Sequence, residues 1–108
     1  MNRGEIWTAA GGVYASKPRP VLIMQDDRFD ATESVVVVPL TTRAVDAALT
    51  RVPIPADALS GIAQPSYAMV DKITTVRRTS LGSRTGRASA TQVVDIERAL
   101  LVFLGIAG

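Results

Sequence analysis

Histidine and cysteine are both missing from these 108 residues. That removes imidazole as an acid or base, the thiolate nucleophile, any disulfide framework and every zinc finger. A transition-metal site is not expected either, because only carboxylates and carbonyls remain as ligands. Lysine is scarce: ten of the twelve basic residues are arginine, and only Lys17 and Lys72 are not. Aromatics are few as well (Trp7, Tyr14, Phe29, Tyr67 and Phe103), too few for an extended stacking platform. No apolar run approaches the ~18 residues that would span a bilayer. The longest runs are Val35 to Leu40 and Ala99 to Ile106. The N-terminus carries Glu5 and lacks an apolar stretch, so it does not read as a signal peptide, and a cytoplasmic protein is expected.

What is present is enough for a core. The chain is 47% hydrophobic and 20% charged, which fits one globular domain over residues 1–108. The net charge of +2 hides an uneven distribution. Lys72, Arg77, Arg78, Arg84 and Arg87 fall in a stretch to Val94 that has no acid, whereas Asp26, Asp27, Asp30 and Glu33 cluster. Guanidinium forks suit phosphate oxygens, so a polyanionic partner is plausible on charge alone.

The hydrophobic pattern predicts short strands. Glu5 to Thr8 opens the first, Ala9 to Pro18 reads as a loop, and Arg19 to Met24 as a buried strand. Asp26 to Glu33 is an acidic connection with room for one helical turn. Ser34 to Leu40, with four consecutive valines, is the clearest strand, and Leu49 to Ile54 alternates and could pair with it. A turn at Gly61 to Pro65 precedes a strand from Ser66 to Ile73, which Thr74 to Arg78 extends or restarts. The tail changes period. Ser89-Ala90-Thr91-Gln92 fits a capping box, Val93, Ile96, Leu100, Phe103 and Leu104 share one helical face, and Gly105 supplies the stop. Five or six strands followed by one helix favour a mostly β fold, a small closed or half-closed barrel with the helix over an open end.

Chemistry without histidine is still possible on RNA, which carries its own nucleophile in the 2′-hydroxyl. A protein can hold that group in line with the phosphate and stabilise the charge that develops. Arg19 is braced by Pro18 and Pro20, which restrict the backbone on both sides of it. Thr41 and Thr42 stand where the valine strand emerges, as phosphate ligands or as plain strand-end caps. Asp71, between Val70 and Lys72, either pairs with a cation or serves a site.

The ordered series Arg3-Gly4-Glu5-Ile6-Trp7, Arg19-Pro20-Val21-Leu22-Ile23, Val36-Val37-Val38-Pro39-Leu40-Thr41 and Val70-Asp71-Lys72-Ile73-Thr74-Thr75-Val76, closed by a helix ending in Leu104-Gly105, resembles the MazF/PemK-like toxins of type II toxin–antitoxin systems. The resemblance covers nearly the whole chain. It implies an SH3-like barrel with a C-terminal helix and a homodimer. It also implies a metal-independent endoribonuclease that cleaves single-stranded RNA without a cofactor and leaves a 2′,3′-cyclic phosphate. By the same resemblance Arg19, Thr41 and Asp71 are the catalytic candidates and Lys72 and Thr74 occupy positions close to RNA; Lys17, Thr42 and Arg77 are expected, on charge and position, to contact RNA as well. The loop Gly11 to Lys17 would close over the strand. A MazE-like antitoxin with an acidic tail is the expected partner. The chain departs from the pattern in lacking an acidic residue before Arg19, and in carrying Lys72 and Thr74 where glutamine and arginine are common. Two other readings are a gyrase poison of the CcdB type, whose terminal tryptophan is missing from this chain's end, and a non-catalytic nucleic-acid- or peptide-binding barrel.

Overall fold

The computed structural model describes residues 1–11, 15–46 and 49–107. Among the described residues seven strands precede one helix: β1 Glu5–Gly11, β2 Ala15–Ile23, β3 Ser34–Thr41, β4 Arg51–Ile54, β5 Ser66–Met69, β6 Thr74–Arg77, β7 Leu81–Arg87 and α1 Ala90–Phe103. Short 3-10 turns, Val70–Lys72 and Arg78–Ser80, separate β5 from β6 and β6 from β7. Every pairing is antiparallel. The order is β4-β5-β3-β2-β1-β7, with β6 also on β3.

β3 organises this arrangement because it is shared. Its first half pairs with β6, from Ser34 opposite Arg77 to Val37 opposite Thr74. Its second half pairs with β5, where Leu40 faces Ala68 and Thr41 faces Tyr67. The valine run explains how one strand can serve both sides. Successive side chains alternate faces, so Val35 and Val37 enter one buried cluster with Ala9, Val21, Ile23 and Val76. Val38 and Leu40 enter the other, with Ile6, Leu22, Val52, Ile54, Ala68, Val70 and Ile96. A strand apolar on both faces is a strand buried on both faces.

Helix α1 closes the second cluster. Ser89 caps it as the sequence predicts: its side chain accepts from the Gln92 N–H at 3.1 Å, and the Gln92 amide accepts from the Ser89 N–H at 2.8 Å. Ile96 is fully buried, with Val93, Ala99 and Leu100 packed beside it. Gly105, at φ 72°, ends the helix in the left-handed conformation. Phe103 and Leu104 depart from expectation. They continue the helical stripe but stand 46% and 53% exposed, beyond the sheet that receives Ile96.

Several boundaries differ from the sequence reading. The stretch Ala9 to Pro18 is mostly strand, with β1 running through Gly11 and β2 beginning at Ala15, because a hairpin ladder propagates even through residues of low strand preference. Asp26 to Glu33 forms hydrogen-bonded turns and no helix: the Asp26 carboxylate accepts from the Arg28 N–H at 2.9 Å, and its carbonyl from that of Phe29 at 3.0 Å. β4 pairs with β5 and not with β3. The strand expected from Ser66 to Ile73 breaks at Met69. β7, spelled LGSRTGR, carries no hydrophobic alternation and was not anticipated. It is an edge strand held by β1 and by a close approach of the Asp57–Gly61 turn, where a Cβ on Gly86 would lie 2.2 Å from the Leu59 carbonyl oxygen.

Candidate active site

The pairing of β2 with β3 aligns Val21 with Pro39. Arg19 and Thr41 each stand two residues beyond that pair, in the direction of the same end of the hairpin. A step of two keeps a side chain on the same face, so guanidinium and hydroxyl leave the same face of these two strands, just past their last paired residues. Continuing across the sheet, Thr41 aligns with Tyr67 and Tyr67 with Pro53. The intervening residues Leu40, Ala68 and Val52 are buried on the helix side. The row Arg19, Thr41, Tyr67, Pro53 therefore lies on the face turned away from α1.

Arg19 is exposed and, among the described residues, its side chain has no hydrogen-bond or ion-pair partner. The other arginines divide clearly. Arg3 binds Glu97 at 2.7 Å and the Met24 carbonyl at 3.1 Å, Arg28 binds Asp26, Arg84 lies 3.4 Å from Glu5, and Arg78 is tied down by the carbonyls of Phe29 and Thr32. Those hold the fold. The side chains of Lys17, Arg19, Arg43, Lys72, Arg77, Arg87 and Arg98 carry no such bond among the described residues and remain available to a polyanion. The acidic cluster does not cancel them. Asp26 to Glu33 sits in the β2–β3 connection, about 23 Å along the strand from Arg19, well beyond a screening length of about 8–10 Å.

The Thr41 hydroxyl accepts from the Arg43 N–H at 3.2 Å. That bond fixes the oxygen and leaves its proton free to donate to a phosphate oxygen. Thr42, exposed, lines an open cleft of about 540 Å³ with Thr8, Pro20, Ile62, Gln64 and Thr85. Lys17 precedes Arg19 by two residues on the same strand and is exposed. The remaining sequence candidates spread away from Thr41. Thr74 lies opposite Val37 and Arg77 opposite Ser34, about 13 and 23 Å along β3 from Thr41. Gly12, Val13 and Tyr14, the middle of the expected closing loop, lie outside the described residues.

Asp71 and Lys72 occupy the 3-10 turn between β5 and β6. Asp71 is not free. Arg51 grips it in a two-pronged bridge, Nε to Oδ1 and Nη2 to Oδ2, both at 3.1 Å, with the side chains 13% and 29% exposed. Arg51 was not picked out from the sequence. The available signal was weak: it is the sole charge in an otherwise alternating strand. Among the described residues no group of three or more acidic side chains is placed to hold a metal ion.

These elements define a small β module whose braced, unpaired arginine stands beside a hydroxyl on an open face. Residues 2–104 match the PemK-like, MazF-like toxins of type II toxin–antitoxin systems, and the chain belongs to that family. It is 58% identical over 109 residues, 100% of both chains, to a protein of Mycolicibacterium smegmatis named probable endoribonuclease MazF. Its backbone matches that of a mycobacterial endoribonuclease solved in complex with its cognate antitoxin, with TM-score 0.82 and 28% identity, over 100% of this chain and 98% of that one. The Mycobacterium tuberculosis toxin MazF-mt6 is similarly close, with TM-score 0.80 and 28% identity, covering 94% and 96%. The expected fold, mostly β with a C-terminal helix, is that of these relatives.

Proposed function

We propose that this chain is the toxin of a type II toxin–antitoxin pair and an endoribonuclease that cleaves single-stranded RNA by making ribose attack its own phosphodiester. The observation that carries the reading is Arg19: exposed, unpartnered among the described residues, rigidly based, and beside Thr41 on the open face. The named activity of the 58% identical relative supports it, and family membership disfavours the gyrase-poison and non-catalytic readings.

In the proposed step the 2′-oxygen bonds to phosphorus and its proton leaves. The P–O5′ bond then breaks, the 5′-oxygen takes up a proton, and the products are a 2′,3′-cyclic phosphate and a 5′-hydroxyl. Arg19 stabilises the extra negative charge on the phosphoryl oxygens and protonates the leaving oxygen, regaining its own proton from solvent, and the Thr41 hydroxyl orients one oxygen. A guanidinium is already fully protonated at neutral pH and has no lone pair to accept the 2′-proton, so it cannot act first as base. Asp71 already gives both oxygens to Arg51, so solvent is assigned as acceptor of the 2′-proton. Lys17 and Lys72 steer the strand toward Arg19, and Thr74, opposite Val37 on the same face, guides its more distant part; Arg77, opposite Ser34, and Thr42, one step past Thr41, alternate to the other face and are given no part in this path.

An antitoxin with an acidic, unfolded tail would occupy the same basic face, by analogy with the mycobacterial relative solved with its antitoxin. Two copies are proposed to associate, because Val102, Phe103, Leu104 and Ile106 leave an apolar end of the helix exposed. No helix among the described residues is long and apolar enough to cross a membrane; a cytoplasmic location is inferred from the proposed substrate.

The test is cleavage of a long RNA in EDTA by the wild-type protein and by Arg19→Ala. Discrete cuts ending in a cyclic phosphate are expected from the wild type, and a rate lower by about 10²–10³ from the variant. A folded Arg19→Ala protein cutting at full speed would sink the site, and gyrase-dependent DNA breaks without RNA cuts would sink the reaction.

A further inference from the structure

We propose that Tyr67 is a one-base stacking platform that holds the nucleobase adjoining the scissile phosphate; the inference rests on the RNA-cleavage reading above. Tyr67 pairs with Thr41 on one side and Pro53 on the other. Its neighbours in sequence, Ser66 and Ala68, are 4% and 0% exposed. Strand alternation therefore turns the Tyr67 ring to the face that carries Arg19 and Thr41.

Of the other described aromatics only Trp7, opposite Val21, shares this face, and it is committed elsewhere. Trp7 gives its indole N–H to Glu5 at 3.1 Å and packs its body on the Val21 cluster. Phe29 lies in the β2–β3 connection, beneath the Arg28 guanidinium at 5.8 Å. Phe103 is at the end of the helix. Tyr67 is half-buried, so its ring is held by the strands around it, and its hydroxyl has no partner among the described residues. A fixed, partly open ring loses little freedom when a base lies on it. It stands one strand spacing, about 5 Å, from Thr41, with the strand of Arg19 next beyond. With the phosphate on Arg19 and Thr41, the attached nucleotide extends across β3 toward β5 and reaches the ring. Single-stranded RNA is recognised through such unstacked bases lying on aromatic side chains. The scarcity of aromatics argues against a long platform; it leaves room for a single one.

The experiment pairs a protein change with a substrate change. Cleavage of a short RNA holding one mapped site is measured for the wild type, Tyr67→Phe, Tyr67→Trp and Tyr67→Leu. Each is also given the same RNA with the base on either side of the cut deleted to leave an abasic ribose. Stacking predicts that Tyr67→Leu raises KM about 5- to 100-fold, that Tyr67→Phe and Tyr67→Trp keep wild-type KM within about threefold, and that one abasic RNA penalises wild type but not Tyr67→Leu. An abasic penalty that is the same with and without the ring overturns the proposal. So does a Tyr67→Leu protein whose defect is loss of self-association, measured by sedimentation. If Tyr67→Leu does not fold, the ring resonances of Tyr67 in wild type decide. They must shift on adding RNA made uncleavable by a 2′-deoxyribose at the attacking position, and stay put with its abasic counterpart. The two readings fail separately: full activity in Arg19→Ala removes the reaction site, whereas an inactive Arg19→Ala protein with a Tyr67-independent abasic penalty removes only the platform.

Discussion

Arg51 and Asp71 are twenty positions apart in sequence and joined by two parallel hydrogen bonds of 3.1 Å. The bridge ties β4 to the 3-10 turn that links β5 and β6, beside the Val70 N–H bond to the Thr50 carbonyl at 2.9 Å. Its geometry commits both carboxylate oxygens of Asp71 to Arg51. Lys72 and Thr74 follow directly, so the pair also sets where those side chains start.

The Arg51–Asp71 bridge leads to the first prediction. Arg51→Gln or Asp71→Asn should each cost about 1–3 kcal/mol, because each leaves a half-buried charge without its partner. Urea unfolding measures this. Well below its melting temperature, Asp71→Asn should retain cleavage within about tenfold of wild type, since a brace affects rate through position alone. A loss on the order of 10³ in a folded Asp71→Asn protein would make Asp71 the proton acceptor instead.

Glu5 gives stability a pH dependence. Burial pushes its pKa up, but hydrogen bonds from the Asn2 N–H and the Trp7 indole, with the charges of Arg84 and the N-terminus, outweigh that and hold it below the ordinary 4.5. A depressed carboxylate stabilises the folded state fully above its unfolded pKa and loses that contribution as acid takes pH down through the folded value. The fluorescence of Trp7, the only tryptophan, should follow acid unfolding, and Glu5→Gln should flatten the dependence of stability on pH below about 5. An unchanged slope in the variant would place the acid sensitivity elsewhere.

The contact between β7 and the Asp57–Gly61 turn is a packing prediction. Gly61 has φ 67°, and a Cβ there would stand 1.9 Å from the Thr85 carbonyl oxygen. Gly61→Ala therefore combines backbone strain with a clash against main chain that cannot swing aside. A loss of at least about 2 kcal/mol is expected. Gly105→Ala, also at positive φ but with open space around it, should cost only about 1 kcal/mol. Equal losses at the two sites would show that the approach to β7 is not tight.

Much of the molecule could be read from local sequence because local chemistry fixed it. The Ser89–Gln92 cap, the Gly105 stop and the valine strand all follow from interactions within a few residues, and each is found where the pattern places it. The proline brace around Arg19 was legible for the same reason. β7 was not, since its residues become a strand only by borrowing hydrogen bonds from β1 and shape from a distant turn. Phe103 and Leu104 followed the helical period, but the period does not say where the sheet beneath it ends.

Composition and local pattern alone determined a histidine-free, arginine-rich and mostly β domain, because residue types and short-range periodicity are properties of the chain itself. Tertiary structure decided which cations are spent on the fold and which stay open, that Arg51 claims Asp71, and that Tyr67 joins the row of Arg19 and Thr41. Those are matters of strand register. Register is settled by distant partners burying their apolar faces together, and no single segment carries that information.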